Sequence, residues 1–202
     1  LLLNEKFLGR GLARALLLIP WSIPLVVDGL MWKSIYNSEY GALNGFLYQL
    51  GIIKDYVNFF PSGGVSALNS VALAQLWRDS PLAGLLLLSG LQAIPQDLYD
   101  ASKVDGAGVL QRIRYVTLPW LKPSILVIMI LFTVNSFVQY DLVYLLTGGG
   151  PGNDTSILPW YIYSITFRKL LFGEGAAVGF LLSILCFLLS FAYIRSLYGR
   201  LE

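Results

Sequence analysis

The chain has 202 residues, of which 56% are apolar and 13% charged, with a net charge of +2 and no histidine. Water-soluble domains carry about 25% charged residues, so this sequence has too little polar material to cover a water-facing surface. Lack of histidine removes the commonest general base and metal ligand; the lone Cys186 offers neither a disulfide framework nor a cysteine metal site; and no basic stripe argues for nucleic acid. The expectation is an all-α, polytopic membrane helical bundle that is not an enzyme.

The chain opens Leu1-Leu2-Leu3 without methionine, and Asn4 and charges follow at once. That run is too short for the apolar region of a signal peptide and reads as the stub of an apolar segment, an N-terminally truncated chain. A membrane helix needs roughly 20 mostly apolar residues. Four stretches supply them: 12–35, which contains Pro20 and Pro24; 65–93, which carries Gln75, Arg78 and Asp79; 121–146; and 176–196.

Residues 38–64, mixed in tyrosine, glycine and asparagine, read as short interfacial helices and turns. Residues 157–172, ending near Arg168-Lys169, read as an interfacial helix, with a full span as the alternative. Lys6, Arg10 and Arg14, then Lys103, Arg112, Arg114 and Lys122, then Arg195 and Arg200 fall on one side of a four-span alternation. By the bias of lysine and arginine toward the cytoplasm, that side is cytoplasmic.

The cytoplasmic connection between the second and third spans has structure of its own. Pro95 ends the span, and acidic Asp97 suits the start of a new helix. Leu98, Ala101, Val104 and Ala107 recur at helical spacing, which predicts an amphipathic helix over about 97–105. Gly106 and Gly108 permit a turn, a second helical piece covers 109–117, and the chain is expected to bend into the third span at Leu118-Pro119.

This stretch resembles the cytoplasmic E-A-A loop of binding-protein-dependent ABC importer permeases, with the pattern E-A-A-x3-G-x9-I-x-L-P. Asp100, Ala101 and Ser102 take the E-A-A positions, and Asp105-Gly106 follow at the glycine. Val116, Thr117, Leu118 and Pro119 close the pattern. Asp for Glu, Ser for Ala and Val for Ile are the departures. Leu91-Gln92-Ala93-Ile94-Pro95 and the proline-rich run 18–24 also resemble this family, as does Tyr140-Asp141-Leu142-Val143-Tyr144-Leu145-Leu146-Thr147-Gly148-Gly149-Gly150-Pro151. The last is similar to the F-D-x-x-Y-x-L-T-x-G-G-P stretch of maltose-type carbohydrate permeases.

The resemblance implies a single type I ABC importer transmembrane domain over 1–202, with one or two of the family's usual six or more spans missing. It implies a sugar or oligosaccharide importer in a bacterial or archaeal cytoplasmic membrane. Its partners would be a second homologous permease in a heterodimer, two cytoplasmic ATPases and an extracytoplasmic binding protein. Loop 95–119 would be the coupling element, carried by Asp100, Ala101, Ser102, Asp105, Gly106, Leu118 and Pro119.

The chain would need no cofactor, ATP being bound by the partners; no G-x-x-x-x-G-K-[ST] occurs, and Gly148–Gly152 reads as an external turn. The substrate path would use intramembrane polar residues, which are costly there and functional by default. On the second span these are Gln75, Arg78 and Asp79, with Leu82 on the same helical face; on the third they are Asn135, Ser136 and Gln139. Arg78 has a competing structural role, pairing with Asp79 or Asp28, and Asn135 and Gln139, four apart, share a face or bridge helices. Ala83, Gly84 and Gly90 read as close-packing positions. Glycerol-phosphate or polyol uptake is the alternative within the class. An ion-coupled secondary carrier is the alternative outside it, for which no internal repeat is visible.

Overall fold

The computed structural model describes residues 2–4, 7–63 and 65–198. Leu1, Lys6 and Arg200, which enter the N-terminal and charge-bias readings above, lie outside them. Among the described residues every regular element is helical. A short 3-10 turn (Leu2–Asn4) precedes α1 (Arg10–Leu17), α2 (Ile19–Ser22), α3 (Leu25–Ile35), α4 (Ala42–Gln49) and α5 (Ser66–Gln92). Then come α6 (Gln96–Val104), α7 (Val109–Arg112), a π-helical turn (Ile113–Thr117) and α8 (Leu118–Ser136). α9 (Asp141–Leu146), α10 (Leu158–Tyr163) with a second π-turn (Ser164–Arg168), and α11 (Phe172–Tyr198) complete the chain.

Three stretches depart from the sequence expectation, each for a local reason. The expected first span, 12–35, is three helices. Pro24 sits at the N-cap of α3 with an extended ψ of 138°; it has no N–H to donate and disfavours a helical residue before it, so the break falls at residues 23–24. Pro20, in the first turn of α2, is tolerated because no donor is needed there. At Leu118-Pro119, where the sequence suggested a bend after a separate helical piece, helix runs without interruption over Val109–Ser136. The π-turn widens the backbone just ahead of Pro119, where its ring would otherwise press on the carbonyl one turn back.

The expected third span, 121–146, stops at Ser136 and restarts at Asp141. Asn, Ser and Asp side chains compete for backbone hydrogen bonds and favour helix ends. The interfacial stretch 157–172 is helical from Leu158 to Arg168, too short to cross a bilayer. Among the described residues two helices, Val109–Ser136 and Phe172–Ser196, are long and apolar enough to do so. α5 has the length, but Gln75, Arg78 and Asp79 dilute it.

The chain divides into two compact units. The first comprises Leu1–Trp21, Asp79–Asn135 and Leu185–Glu202; the second comprises Ser22–Arg78 and Ser136–Ile184. In the first, Leu91 near the end of α5 and Ile94 just beyond it pack on Leu121 of α8, with Tyr99 and Val116 against them. Gly90 makes that crossing possible: a Cβ there would lie 2.9 Å from Leu121 Cδ2 and press on Ser124. The close-packing reading of Gly90 therefore has a partner, and small residues are the usual means of bringing membrane helices together.

The second unit has its core at Tyr36, Val71, Ala74, Leu142, Val143, Leu146 and Trp160. Gly29 plays the same part there, since a Cβ would lie 2.8 Å from Leu145 Cβ on α9. Buried Asn44 ties the 38–64 region together, donating to the Asn37 and Val57 carbonyls at 3.2 and 2.9 Å and accepting from Val57 N–H at 2.9 Å. The Gly148–Gly152 turn is closed by Thr155, fully buried and hydrogen-bonded to Thr147 Oγ1 (2.6 Å) and the Gly150 carbonyl (2.7 Å).

Candidate functional site

Two constellations gather the sequence-derived candidates, one in each unit. In the first unit, α6 begins after Pro95 and ends in a left-handed glycine. Gly106 has φ 72°; its N–H donates to the Lys103 carbonyl at 3.0 Å, and Ala107 N–H reaches back to the Ser102 carbonyl at 2.9 Å. This pair of bonds is a Schellman motif, which satisfies carbonyls that a helix end otherwise leaves open. A Cβ at Gly106 would meet nothing within 4 Å, so glycine is required by the dihedral alone. Gly108 N–H then bonds Gln111 Oε1 at 2.8 Å and starts α7. The helix–glycine–helix knob expected from the sequence is therefore a set of closed hydrogen bonds.

The knob presents a mixed face. Asp100, Ala101 and Asp105 are exposed, as are Val104, Val109 and Leu110, the last three at 88%, 66% and 78%. Asp100 pairs with Lys103 at 2.7 Å, both side chains more than half exposed, and accepts a long bond from Gln96. The Lys103 hydrogen bond holds the Asp100 carboxyl below its ordinary value. A depressed carboxylate contributes its pairing fully above the ordinary value of 3.8 and loses it only as pH falls through the lower folded one, so this pair is insensitive to pH near neutrality. Ser102 is turned inward, its hydroxyl bonded to the Tyr99 carbonyl at 2.7 Å.

Sequence reasoning missed the fastening of this knob. Tyr99 and Thr117 hydroxyls lie 3.0 Å apart, Thr117 is 3% exposed, and the Tyr99 ring packs on Leu91, Ile94 and Leu121. The link joins α6 to the turn that opens α8. Tyr99 lies just ahead of the E-A-A-like pattern and Thr117 takes one of its unspecified positions, so the pattern marked neither residue. Tyr99→Phe is expected to remove about 1 kcal/mol and to speed amide exchange over 96–104, while leaving exchange in α8 unchanged.

In the second unit the polar candidates sit at helix breaks. The freed Ile23 carbonyl accepts from Arg78 Nη1 at 3.2 Å, and the same nitrogen lies 3.5 Å from the carboxylate of Asp28. Asp28 is fully buried, and the Arg78 side chain is 11% exposed. At the other break, Gln75 Nε2 donates to Gln139 Oε1 at 2.6 Å. Gln139 lies beyond the end of α8, so it and Asn135 do not share a helical face as the spacing implied.

A cavity of about 240 Å³ opens beside this amide pair, lined by Gln75, Ser136, Gln139, Tyr140 and Asp141 together with apolar residues of α3, α5 and α9. Irregular backbone at membrane depth persists only where it is buried in protein or lines a cavity, and Ser136, Gln139, Tyr140 and Asp141 line this one. The candidates thus separate. Gln75, Ser136 and Gln139 meet at the cavity, Arg78 turns to Asp28, and Asp79, Leu82 and Asn135 belong to the first unit. Among the described residues no group of three or more His, Cys, Asp or Glu is placed to hold a metal ion.

The profile of the family described as "Binding-protein-dependent transport system inner membrane component" matches residues 3–202. The chain belongs to this family. It is therefore an inner-membrane transport component, and the all-helical fold, the membrane location and the non-enzymatic reading stand with it. The chain is 39% identical over 198 residues to the trehalose/maltose transport system permease protein MalF of Thermococcus litoralis, covering 96% of this chain and 65% of that protein. It is 38% identical to the sulfoquinovosyl glycerol transport system permease protein SmoG of Agrobacterium fabrum and 32% identical to the trehalose transport system permease protein SugA of Mycobacterium tuberculosis. It spans 62% and 61% of their lengths.

In fold, the chain matches a bacterial ABC transporter involved in the import of the acidic polysaccharide alginate, with a TM-score of 0.83 at 20% identity. The match covers 98% of this chain and 69% of that one. A second structure, of the alginate transporter with an alginate pentasaccharide-bound periplasmic protein, matches with a TM-score of 0.77 at 19% identity.

Proposed function

We propose that this chain is one transmembrane domain, the membrane-spanning permease subunit of an ATP-driven importer for sugars or oligosaccharides. In this reading it pairs with a second, homologous permease, two cytoplasmic ATPases that bind the ATP, and an extracytoplasmic binding protein. The carrying observation is the 95–119 segment: a capped helix with exposed apolar residues, pinned at Tyr99 to the start of α8, at the position of the E-A-A-like pattern. An exposed apolar knob in a loop needs a partner surface, and a rigid link to α8 is what a mechanical relay requires. The transport systems named for the relatives supply the carbohydrate class.

The knob works by shape. Ala101 is small and lets a partner surface approach α6 closely. Val104, Val109 and Leu110 supply apolar area, and the exposed Asp100–Lys103 pair, worth little as it stands, can exchange partners with charges on an ATPase. Movement of the docked ATPase is then delivered through α6, the Gly106 turn and the Tyr99–Thr117 link to α8. At the other end of the path, the Gln75–Gln139 amides and the Tyr140 ring offer sugar hydroxyls both donors and acceptors and a flat apolar face.

The test is to purify the chain with its native partners from its host under mild detergent. Two nucleotide-binding subunits and a second permease are expected to accompany it. A lone protein that transports without them would overturn the reading in favour of a secondary carrier.

A further inference from the structure

We propose that the turn between the second π-turn and α11 is an anchor for anionic phospholipid. Leu170 and its apolar neighbours enter the edge of the hydrocarbon, and Arg168 and Lys169 hold a lipid phosphate above them. The site follows from the membrane location of the chain and is independent of the solute it carries.

Leu170 is the residue that needs a membrane. Among the described residues it is the one non-glycine with a positive φ, 59°, in the left-handed region where a Cβ crowds the following carbonyl. Its side chain is also 66% exposed. In water, leucine is disfavoured here twice, by its backbone and by its apolar surface, and glycine would relieve both. Hydrocarbon reverses the second effect, because burying a leucine side chain offsets the strain of one left-handed residue.

The turn around Leu170 is fixed. Lys169 N–H donates to the Ser164 carbonyl and Leu171 N–H to the Ile165 carbonyl, both at 3.0 Å, and Gly175 N–H donates to the Leu171 carbonyl at 3.0 Å. Gly175 of α11 lies directly against Thr166: a Cβ there would be 3.0 Å from Thr166 Cβ and would overlap its hydroxyl. Clamped in this way, the turn presents Phe167, Leu171 and Phe172 beside Leu170, all exposed.

Its position supplies the partner. α11 starts at Phe172, is long and apolar enough to cross a bilayer, and is largely uncovered by the rest of the chain. The turn therefore lies where hydrocarbon meets headgroups. Apolar and basic side chains together at that level are the pattern of a segment that sits in a membrane surface. Arg168 and Lys169 are exposed, and the Arg168 guanidinium is placed over the buried Trp160 ring, 5.5 Å from its centroid. A cation over a ring is held by its charge, which leaves the guanidinium N–H groups to donate to phosphate oxygens. The Lys169 stem can run along apolar surface and carry its ammonium to the same height. Exposed Glu174, in the first turn of α11, offsets one of the two positive charges. The net preference for anionic over zwitterionic headgroups is then about fivefold.

The experiment uses the whole complex, with Cys186→Ser and Leu170→Cys carrying a bimane fluorophore. It is reconstituted in vesicles of phosphatidylcholine mixed with phosphatidylglycerol, one or the other lipid bearing a nitroxide near the top of its acyl chain. Quenching by both lipids is expected, about fivefold stronger from phosphatidylglycerol at matched density, and Arg168→Gln with Lys169→Gln should bring the two to parity. Because the label replaces Leu170, native mass spectrometry of the unlabelled complex gives an independent reading. That complex should retain more phosphatidylglycerol than the double variant, and more than Leu170→Gly, which relaxes the backbone but removes the apolar anchor. Quenching by neither lipid would place residue 170 against protein and overturn the anchor. Equal quenching by both lipids before the basic residues are changed, or retention unaltered in the double variant, would overturn the phosphate site.

Discussion

Arg78→Ala is expected to destabilise the second unit by about 3–5 kcal/mol, the cost of leaving a buried charge without its partner. Asp28 is wholly buried, and Arg78 lies 3.5 Å from it while also bonding the Ile23 carbonyl. Truncation would take the guanidinium away from both acceptors. The ion pair itself contributes little net energy, because desolvating two charges offsets most of their attraction; the loss comes from breaking one side only. Asp28→Asn combined with Arg78→Ala should therefore recover a substantial part of the loss. Arg78→Lys, which keeps the charge on a single nitrogen but loses the fork geometry, should fall between the two. Thermal unfolding of the purified complex, followed by protease cleavage within 22–78, checks the order. A double variant no more stable than Arg78→Ala would show that the pair does not account for the effect.

The second large effect is expected at Gly106. Its φ of 72° lies in the left-handed region, where a side chain costs roughly 1–2 kcal/mol, and more than that for a β-branched one. The site is sterically open, so the penalty is conformational and confined to the turn. Gly106→Val should lower the population of the native turn by about 5–30-fold, releasing the Gly106–Lys103 and Ala107–Ser102 bonds. Membrane insertion and assembly of the core around Leu91, Ile94 and Leu121 should survive. Transport per ATP hydrolysed should fall, while basal ATPase activity persists. Gly106→Asn, which tolerates the left-handed region better, should retain more coupling than valine. Equal loss in both, or loss of the folded complex, would point to a role beyond the turn.

Composition alone carried the fold class, because a chain with so few charges cannot cover itself in water. The knob was legible for a different reason. Its helix, predicted over 97–105 and found at Gln96–Val104, depends on residues adjacent in sequence, and Gly106 declares a left-handed turn by itself. What the sequence could not show were links between distant residues. Gln75 and Gln139 are 64 positions apart, Arg78 and Ile23 are 55 apart, and Tyr99 and Thr117 are 18 apart.

Hydropathy also overstated continuity. It joined 12–35 into one span although Pro24 divides it, and it joined 121–146 although Asn135, Ser136 and Asp141 end one helix and start another. The π-turn that carries the helix unbroken past Pro119 leaves no mark in composition. The break at 136–141, which hydropathy smoothed over, supplies most of the polar lining of the cavity.

The central claim, that α6 is the contact through which an ATPase drives this chain, is tested most directly at Ala101. This residue is exposed on α6, and the chain's single cysteine, Cys186, can be replaced by serine. An Ala101→Cys variant in that background, carrying a photoactivatable crosslinker, should join to a nucleotide-binding subunit in the native complex, with a yield that changes on addition of ATP. A complex that transports its solute while position 101 crosslinks to lipid or to the other permease, and never to an ATPase, would contradict the claim.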